Sequence, residues 1–181
     1  MNKNLSALVK AAMLAAMSAV LMLFEFPIFP TAGFLKLSLS DFPALIAGFV
    51  LGPLYGGLVV IIKVAVFLVA KGSDSGYVGE LSKAIIGLSF VLTSSLIFLA
   101  GKSNRSALIG LIAGMLLMTA VGALSNYYVI FPLYSGLYGM DLQVLRASMP
   151  FVLLFNIISG TVNALPTFFV YRRTERLLKR F

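Results

Sequence analysis

The sequence has no cysteine, no histidine and no tryptophan, and only six of its 181 residues are acidic. Without cysteine and histidine there is no thiolate nucleophile, and the two commonest side-chain ligands for zinc and copper are missing. The six carboxylates are scattered along the chain, so the clustered groups that an active site requires are also missing. We therefore expect no catalytic residue, no metal site and no enzyme.

Charged residues are also scarce, at 11% of the chain, while 60% of the residues are hydrophobic. A soluble domain has about 25% charged residues, so this chain could not cover its own core with polar surface. A membrane-spanning helix needs about 20 mainly apolar residues, so six of them use about 120 and leave only short connections. The composition predicts an all-α integral membrane protein, a bundle of six transmembrane helices, with residues 1–181 as a single domain.

The apolar runs place the six spans at about residues 5–24, 41–52, 54–70, 78–100, 106–128 and 149–171. The second span stops early, at Gly52-Pro53, so it either extends past the proline or is shielded by protein. Ser40 or Asp41 suits its N-cap. The aromatic connection 25–40 is expected to fold back over the bundle as a lid or wall, and residues 131–141 form a second aromatic loop.

The 14 Lys and Arg residues divide unevenly between the two ends of such a bundle, and two of them, Lys63 and Lys83, fall within spans. Lys36, Lys71 and Arg146 lie at one end. The other end has nine: Lys3, Lys10, Lys102, Arg105, Arg172, Arg173, Arg176, Lys179 and Arg180. By the positive-inside rule both termini are cytoplasmic. The basicity thus reports topology, with lipid head groups rather than nucleic acid as its partner.

Polar residues inside the spans are candidate functional groups because they are costly in lipid. Glu80 and Lys83 share one face of the fourth span, and Asn126 lies at the end of the fifth. The sixth span has a polar stripe at helical spacing: Asn156, Ser159, Gly160 and Asn163. In the predicted orientation the outer half of the membrane contains Glu80, Lys83, Asn126 and Asn156. The amides and the aromatic loop there suit a neutral heteroaromatic ligand.

Structural roles compete with ligand binding for several of these residues. Glu80 and Lys83 are placed to form an ion pair near a helix end, and Asn163 suits a hydrogen bond between helices. Lys63 lies too deep to reach the interface easily and is expected to pair within the bundle. The first span has rows of small residues, which either pack inside the bundle or dock another subunit: Ala11, Ala15 and Ala19, and Ala12 and Ala16.

Several short motifs follow the alanine-rich first span in this order: Phe34-Leu35-Lys36, Ser40-Asp41-Phe42-Pro43-Ala44-Leu45, Gly79-Glu80-Leu81, Asn126-Tyr127-Tyr128, and Phe155-Asn156 ahead of Gly160. In this order and spacing, nearly the whole chain resembles the substrate-binding S components of energy-coupling factor (ECF) vitamin transporters. It is most similar to the riboflavin-binding type.

The resemblance implies a multi-pass protein of a prokaryotic cell membrane that captures riboflavin from outside and has no cofactor of its own. It also implies a membrane coupling subunit and two ATP-binding-cassette ATPases as partners, with the alanine rows of the first span facing the coupling subunit. The ring contacts map to Asn126 and to the turn with Phe155, Asn156, Ser159 and Gly160. The rest of the pocket maps to Leu37, Ser38, Glu80 and Lys83.

One motif departs from the riboflavin type. Leu154 stands where a proline is usual, and Ser159 stands where that type often has a lysine. The change removes a cationic donor to the ring carbonyls, although the Ser159 hydroxyl can still donate. An S component for another vitamin or a flavin precursor therefore remains an alternative, as does a membrane scaffold without a ligand.

Overall fold

The computed structural model describes residues 3–30, 32–73 and 76–178. Lys179 and Arg180, two of the residues predicted to form the basic cytoplasmic end, lie outside this range. The described helices are α1 (Lys3–Leu23), α2 (Asp41–Leu51), α3 (Pro53–Lys71), α4 (Val78–Gly101), α5 (Asn104–Ser125), α6 (Phe131–Tyr138), α7 (Leu142–Ala147) and α8 (Met149–Leu178). The short strands β1 (Phe26–Pro27) and β2 (Lys36–Leu37) pair antiparallel.

Five helical segments in the described part of the chain are long and apolar enough to cross a membrane, and α2 is a shorter apolar helix. The prediction of an all-α membrane bundle is confirmed. The count of six spans and the cytoplasmic position of both termini stay predictions, because α2 is the span on which the orientation of everything after it depends.

Helix α2 is short because Gly52 and Pro53 end it, and Gly52 has a φ of 107° that favours glycine. It packs against α1, α3, α4 and α8, so protein rather than lipid surrounds it. A Cβ on Gly48 would lie 1.9 Å from Ser95 Oγ of α4, and one on Gly56 of α3 would lie 2.8 Å from Gly48 Cα. Of the two alternatives for this span, the structure shows the shielded short helix.

The connection between α1 and α2 closes one end of the bundle as a wall, as predicted. Its strands pair Phe26 with Leu37 and Pro27 with Lys36. Ala32 and Leu35 are buried in a cluster that includes Val78 of α4. Phe29 and Phe34 of this connection pack against the same cluster, whereas Phe26 is exposed.

The prediction of a loop at residues 131–141 is wrong, because most of this segment is helical. Helix α5 continues through a π-helical turn, Asn126–Ile130, directly into α6. Pro132 occupies the first turn of α6. The wider turn is closed by the Phe131 N–H, which donates to the Asn126 carbonyl. Such π turns are frequent at functional sites.

The two alanine rows of α1 have different environments. Ala11, Ala15 and Ala19 are buried within the bundle, where α1 packs against α2 and α3, so this row has the internal packing role. Ala12 and Ala16 are exposed on the outside of the bundle. Only this second row is free to meet another subunit, and that role stays a prediction.

Candidate ligand-binding site

A cavity lies at the end of the bundle that the β1–β2 connection covers. The walls combine the connection and the adjoining end of α1 and start of α2 with the first half of α4, the π-helical turn, α6 and the first half of α8, and Lys63 of α3 also contributes. The predominantly apolar lining includes Met22, Phe34, Leu35, Ile86, Ile130, Tyr134, Val152 and Phe155.

Two neutral amides form one polar part of this cavity. Asn126 is placed there by the π-helical turn, and its Nδ2 donates to the Gly122 carbonyl over 2.7 Å. Its Oδ1 has no hydrogen bond among the described residues. Asn156 of α8 is only 1% exposed, and its Nδ2 has no acceptor in the described part of the chain. Both side chains line the cavity, and each keeps a polar atom without a hydrogen-bond partner among the described residues.

A second polar part lies at the start of α2. Lys63 of α3 is buried and forms an ion pair with Asp41, and it also donates to Ser40 Oγ over 2.9 Å. Asp41, Ser40 and Lys63 all line the cavity. The prediction that Lys63 pairs within the bundle is confirmed.

Asn163 ties α8 to the start of α2. Its Oδ1 accepts from the backbone N–H groups of Asp41 and Phe42 at 3.1 and 2.9 Å, and its Nδ2 donates to the carbonyls of Ser38 and Ser159. The expected N-cap was Ser40 or Asp41, but the Ser40 side chain makes no capping bond. Asn163 caps α2 from another helix, so its interhelical role is confirmed.

An ion cluster centred on Glu25 lies at the mouth of the cavity. The Glu25 side chain is 2% exposed, and three lysines from three different elements contact it: Lys36 at 3.6 Å, Lys71 at 3.9 Å, and Lys83. Glu80 accepts from Ser73 Oγ at 2.8 Å and lines a neighbouring cavity that shares Lys36 and Lys83 with the main one. Glu25 is thus the partner of Lys83 that the sequence did not indicate.

The structure brings six of the nine predicted ligand-binding residues to the main cavity: Ser38, Lys83, Asn126, Phe155, Asn156 and Ser159. Leu37 lines a neighbouring cavity, to which Ser38 also contributes. Glu80 lies in the adjoining cavity, and Gly160 packs closely against Met115 of α5. Ligand contact by all nine residues stays a prediction.

Sequence reasoning missed Ser40, Asp41 and Lys36 as lining residues. Asp41 was interpreted as a helix cap, which is the usual role of an aspartate before an apolar helix. The available signal was Lys63, because a lysine deep in a span needs an acidic partner.

Comparison with known proteins agrees with this architecture. The family model described as "ECF transporter, substrate-specific component" matches residues 6–171. The chain belongs to this family. It is therefore a transporter S component and not an enzyme, and it is a multi-pass protein of a prokaryotic plasma membrane.

Individual relatives of this S component cover nearly all of it. It is 34% identical to riboflavin transporter RibU of Staphylococcus aureus, over 96% of this chain and 92% of that protein. It is 33% identical to riboflavin transporter FmnP of Bacillus subtilis, over 86% and 84%. The solved structure of the S component of a bacterial ECF transporter superimposes with a TM-score of 0.82 at 33% identity, covering 98% of this chain and 99% of that one.

Proposed function

We propose that this S component binds riboflavin and delivers it across the membrane together with an ECF coupling subunit and two ATP-binding-cassette ATPases. The whole chain acts as one substrate-binding domain. The names of the two bacterial relatives support the choice of ligand. The sequence contains no phosphate-binding loop, so the energy for uptake comes from the partners.

The observation that carries this proposal is the pair of amides in the cavity. The Asn156 Nδ2 donor and the Asn126 Oδ1 acceptor have no other hydrogen-bond partners among the described residues. The pyrimidine edge of a flavin has adjacent carbonyl and N–H groups and can accept from one amide and donate to the other. An unmade hydrogen bond in a buried group costs about 1–3 kcal/mol, which ligand binding would recover.

The apolar lining suits the rest of the ring. Phe34, Tyr134 and Phe155 come from three different parts of the chain and surround the cavity together with aliphatic side chains. Such a lining receives a flat heteroaromatic ring, while the few polar groups fix its orientation. Although Ser159 replaces the lysine common in the riboflavin type, Lys83 lines the same cavity and supplies a cation.

Titration of riboflavin fluorescence tests the proposal. Purified protein should quench the fluorescence at sub-micromolar concentrations. Asn156→Leu should raise the Kd at least about tenfold, because the ligand loses a buried hydrogen-bonding partner. Asn104→Leu is the matched control, since Asn104 is the first residue of α5, whose 22 residues place it about 33 Å from the cavity end.

Two outcomes would contradict the proposal. Wild-type protein that does not quench riboflavin, but binds thiamine or biotin in equilibrium dialysis, would indicate an S component for another vitamin. Equal effects of the Asn156 and Asn104 substitutions on riboflavin binding would show that the amide acts through stability and not through contact.

A further inference from the structure

The ion pair between Asp41 and Lys63 lies in the cavity but has no role in the ring contacts proposed above. Both residues line the cavity, together with the hydroxyl-bearing residues Ser38 and Ser40. The Lys63 side chain is 3% exposed and the Asp41 side chain 18% exposed. The Lys63 side chain is therefore shielded from solvent, whereas part of the Asp41 carboxylate remains accessible.

The hydrogen bonds of this cluster leave binding capacity toward the cavity. Lys63 Nζ donates to Asp41 Oδ1 and to Ser40 Oγ, which uses two of its three protons. Ser38 Oγ and Ser40 Oγ are 2.9 Å apart. Within the described residues, Asp41 Oδ2 has no hydrogen-bond partner. An ionised carboxylate oxygen in such a place is a strong acceptor.

The charge balance of the cluster selects the kind of group that fits. An anion would be repelled by Asp41, and a cation would be repelled by Lys63, which already neutralises the carboxylate. A neutral hydroxyl can donate to Asp41 Oδ2 and accept from Lys63 or from the serines. Neighbouring hydroxyls on one carbon chain would use several of these groups together.

The position of the cluster separates it from the amides. Asn163, which bonds to the backbone of Asp41, lies seven residues after Asn156 on α8. That spacing corresponds to about 10 Å along the helix. A ligand whose ring is held by Asn126 and Asn156 therefore has room to extend a chain toward Asp41 and Lys63.

We propose that Asp41 and Lys63, with Ser38 and Ser40, form a subsite that binds the hydroxyl groups of the ligand's polyhydroxylated chain. The inference rests on the proposed function, since it assigns the ring end of riboflavin to the amides and the ribityl chain to the ion pair. Asp41 then determines specificity for the chain and has little effect on binding of the ring.

Comparing two flavins tests this assignment. Lumiflavin has the riboflavin ring with a methyl group in place of the ribityl chain. The Kd values are measured by fluorescence titration with purified full-length protein. Asp41→Asn should raise the Kd for riboflavin by about ten- to a hundredfold, because this is the usual contribution of a hydrogen bond to a charged group. The Kd for lumiflavin should change less than about twofold.

A matched control and a second variant make the test robust. Asp141→Asn is the same chemical change at the exposed N-cap of α7 and should alter neither Kd. Asp41→Asn leaves Lys63 without its partner, and this single variant then does not necessarily fold. In that case the double variant Asp41→Asn/Lys63→Met removes both charges. Replacing both members of a buried ion pair destabilises a protein less than removing one of them. It should show the same selective loss of riboflavin binding.

The outcomes separate this inference from the proposed function. Wild-type protein that binds riboflavin and lumiflavin equally well, or variants that weaken both flavins by the same factor, would overturn the chain subsite and leave riboflavin binding intact. Wild-type protein that binds neither flavin would overturn the proposed function and the subsite with it.

Discussion

At the scale of single residues, the cavity depends on side chains that lack partners in the protein. Asn156 keeps its amide nitrogen close to Gly122 of α5, where a Cβ would lie 2.4 Å from Nδ2. Only a glycine leaves room for the amide at this position. Gly122 also accepts from Asn126 through its carbonyl, so it positions both amides.

Gly122→Ala should therefore weaken riboflavin binding, although residue 122 does not line the cavity. The new methyl group displaces the Asn156 amide, and the loss of its hydrogen bond to the ligand costs about 1–3 kcal/mol of binding free energy, or about a five- to 150-fold higher Kd. Gly136→Ala is the matched control, because a Cβ at Gly136 of α6 meets nothing within 4 Å. Fluorescence titration of both variants checks the prediction, and an unchanged Kd for Gly122→Ala would contradict it.

At the scale of secondary-structure elements, the site depends on irregular segments between regular helices. The π-helical turn at Asn126–Ile130 directs Asn126 into the cavity, and the short α2 begins beside it at Asp41. Three hydrogen bonds of Asn163 connect α8 to α2 and to the connection that precedes it. Movement of α8 would therefore be transmitted to Ser38 and Asp41 on the cavity wall.

Asn163→Ala should lower stability and loosen the site together. It leaves the Asp41 N–H without its acceptor and leaves the Phe42 N–H only its longer bond to the Leu39 carbonyl, at 3.3 Å. An unsatisfied buried group costs about 1–3 kcal/mol. Thermal unfolding in detergent should occur at least about 4 °C lower, and the riboflavin Kd should rise. Thr161→Ala, an exposed position on the same helix whose Oγ1 donates to the Ile157 carbonyl, should change neither measurement. A normal melting temperature for Asn163→Ala would show that water replaces the cap.

At the scale of the whole molecule, the bundle separates a ligand-binding end from a lateral surface available to partners. The buried alanine row of α1 holds that helix against α2 and α3, and the exposed row of Ala12 and Ala16 faces outward. Small exposed residues allow another helix to approach closely. We expect the coupling subunit to contact α1 along this row.

Replacing Ala12 and Ala16 together with leucine should reduce uptake while binding is retained. In cells that contain the coupling subunit and the ATPases, riboflavin uptake should fall at least about fivefold, because the larger side chains keep the partner helix away. The purified variant should bind riboflavin normally, since neither residue lines the cavity. Ala120→Leu, at an exposed position of α5, should leave uptake and binding unchanged. Normal uptake by the double variant would place the partner on another surface.

The sequence by itself determined the class of this protein, because the excess of apolar over charged residues is compatible only with a membrane bundle. It also indicated Asn126, Asn156 and Lys83, since polar groups inside apolar spans are conspicuous. Residues 131–141 were misinterpreted as an aromatic loop, because local pattern does not reveal a helix that continues through a π turn.

Only the tertiary structure decided which polar groups satisfy one another and which remain available to a ligand. Lys63 pairs with Asp41, Lys83 with Glu25, and Asn163 caps α2, although each pair is distant in sequence. Hydrogen bonds and ion pairs depend on distances of a few ångströms between helices, and helical periodicity gives only the face on which a residue lies. The buried and exposed alanine rows of α1 differ for the same reason: neighbouring helices, and not the row itself, determine which one is covered.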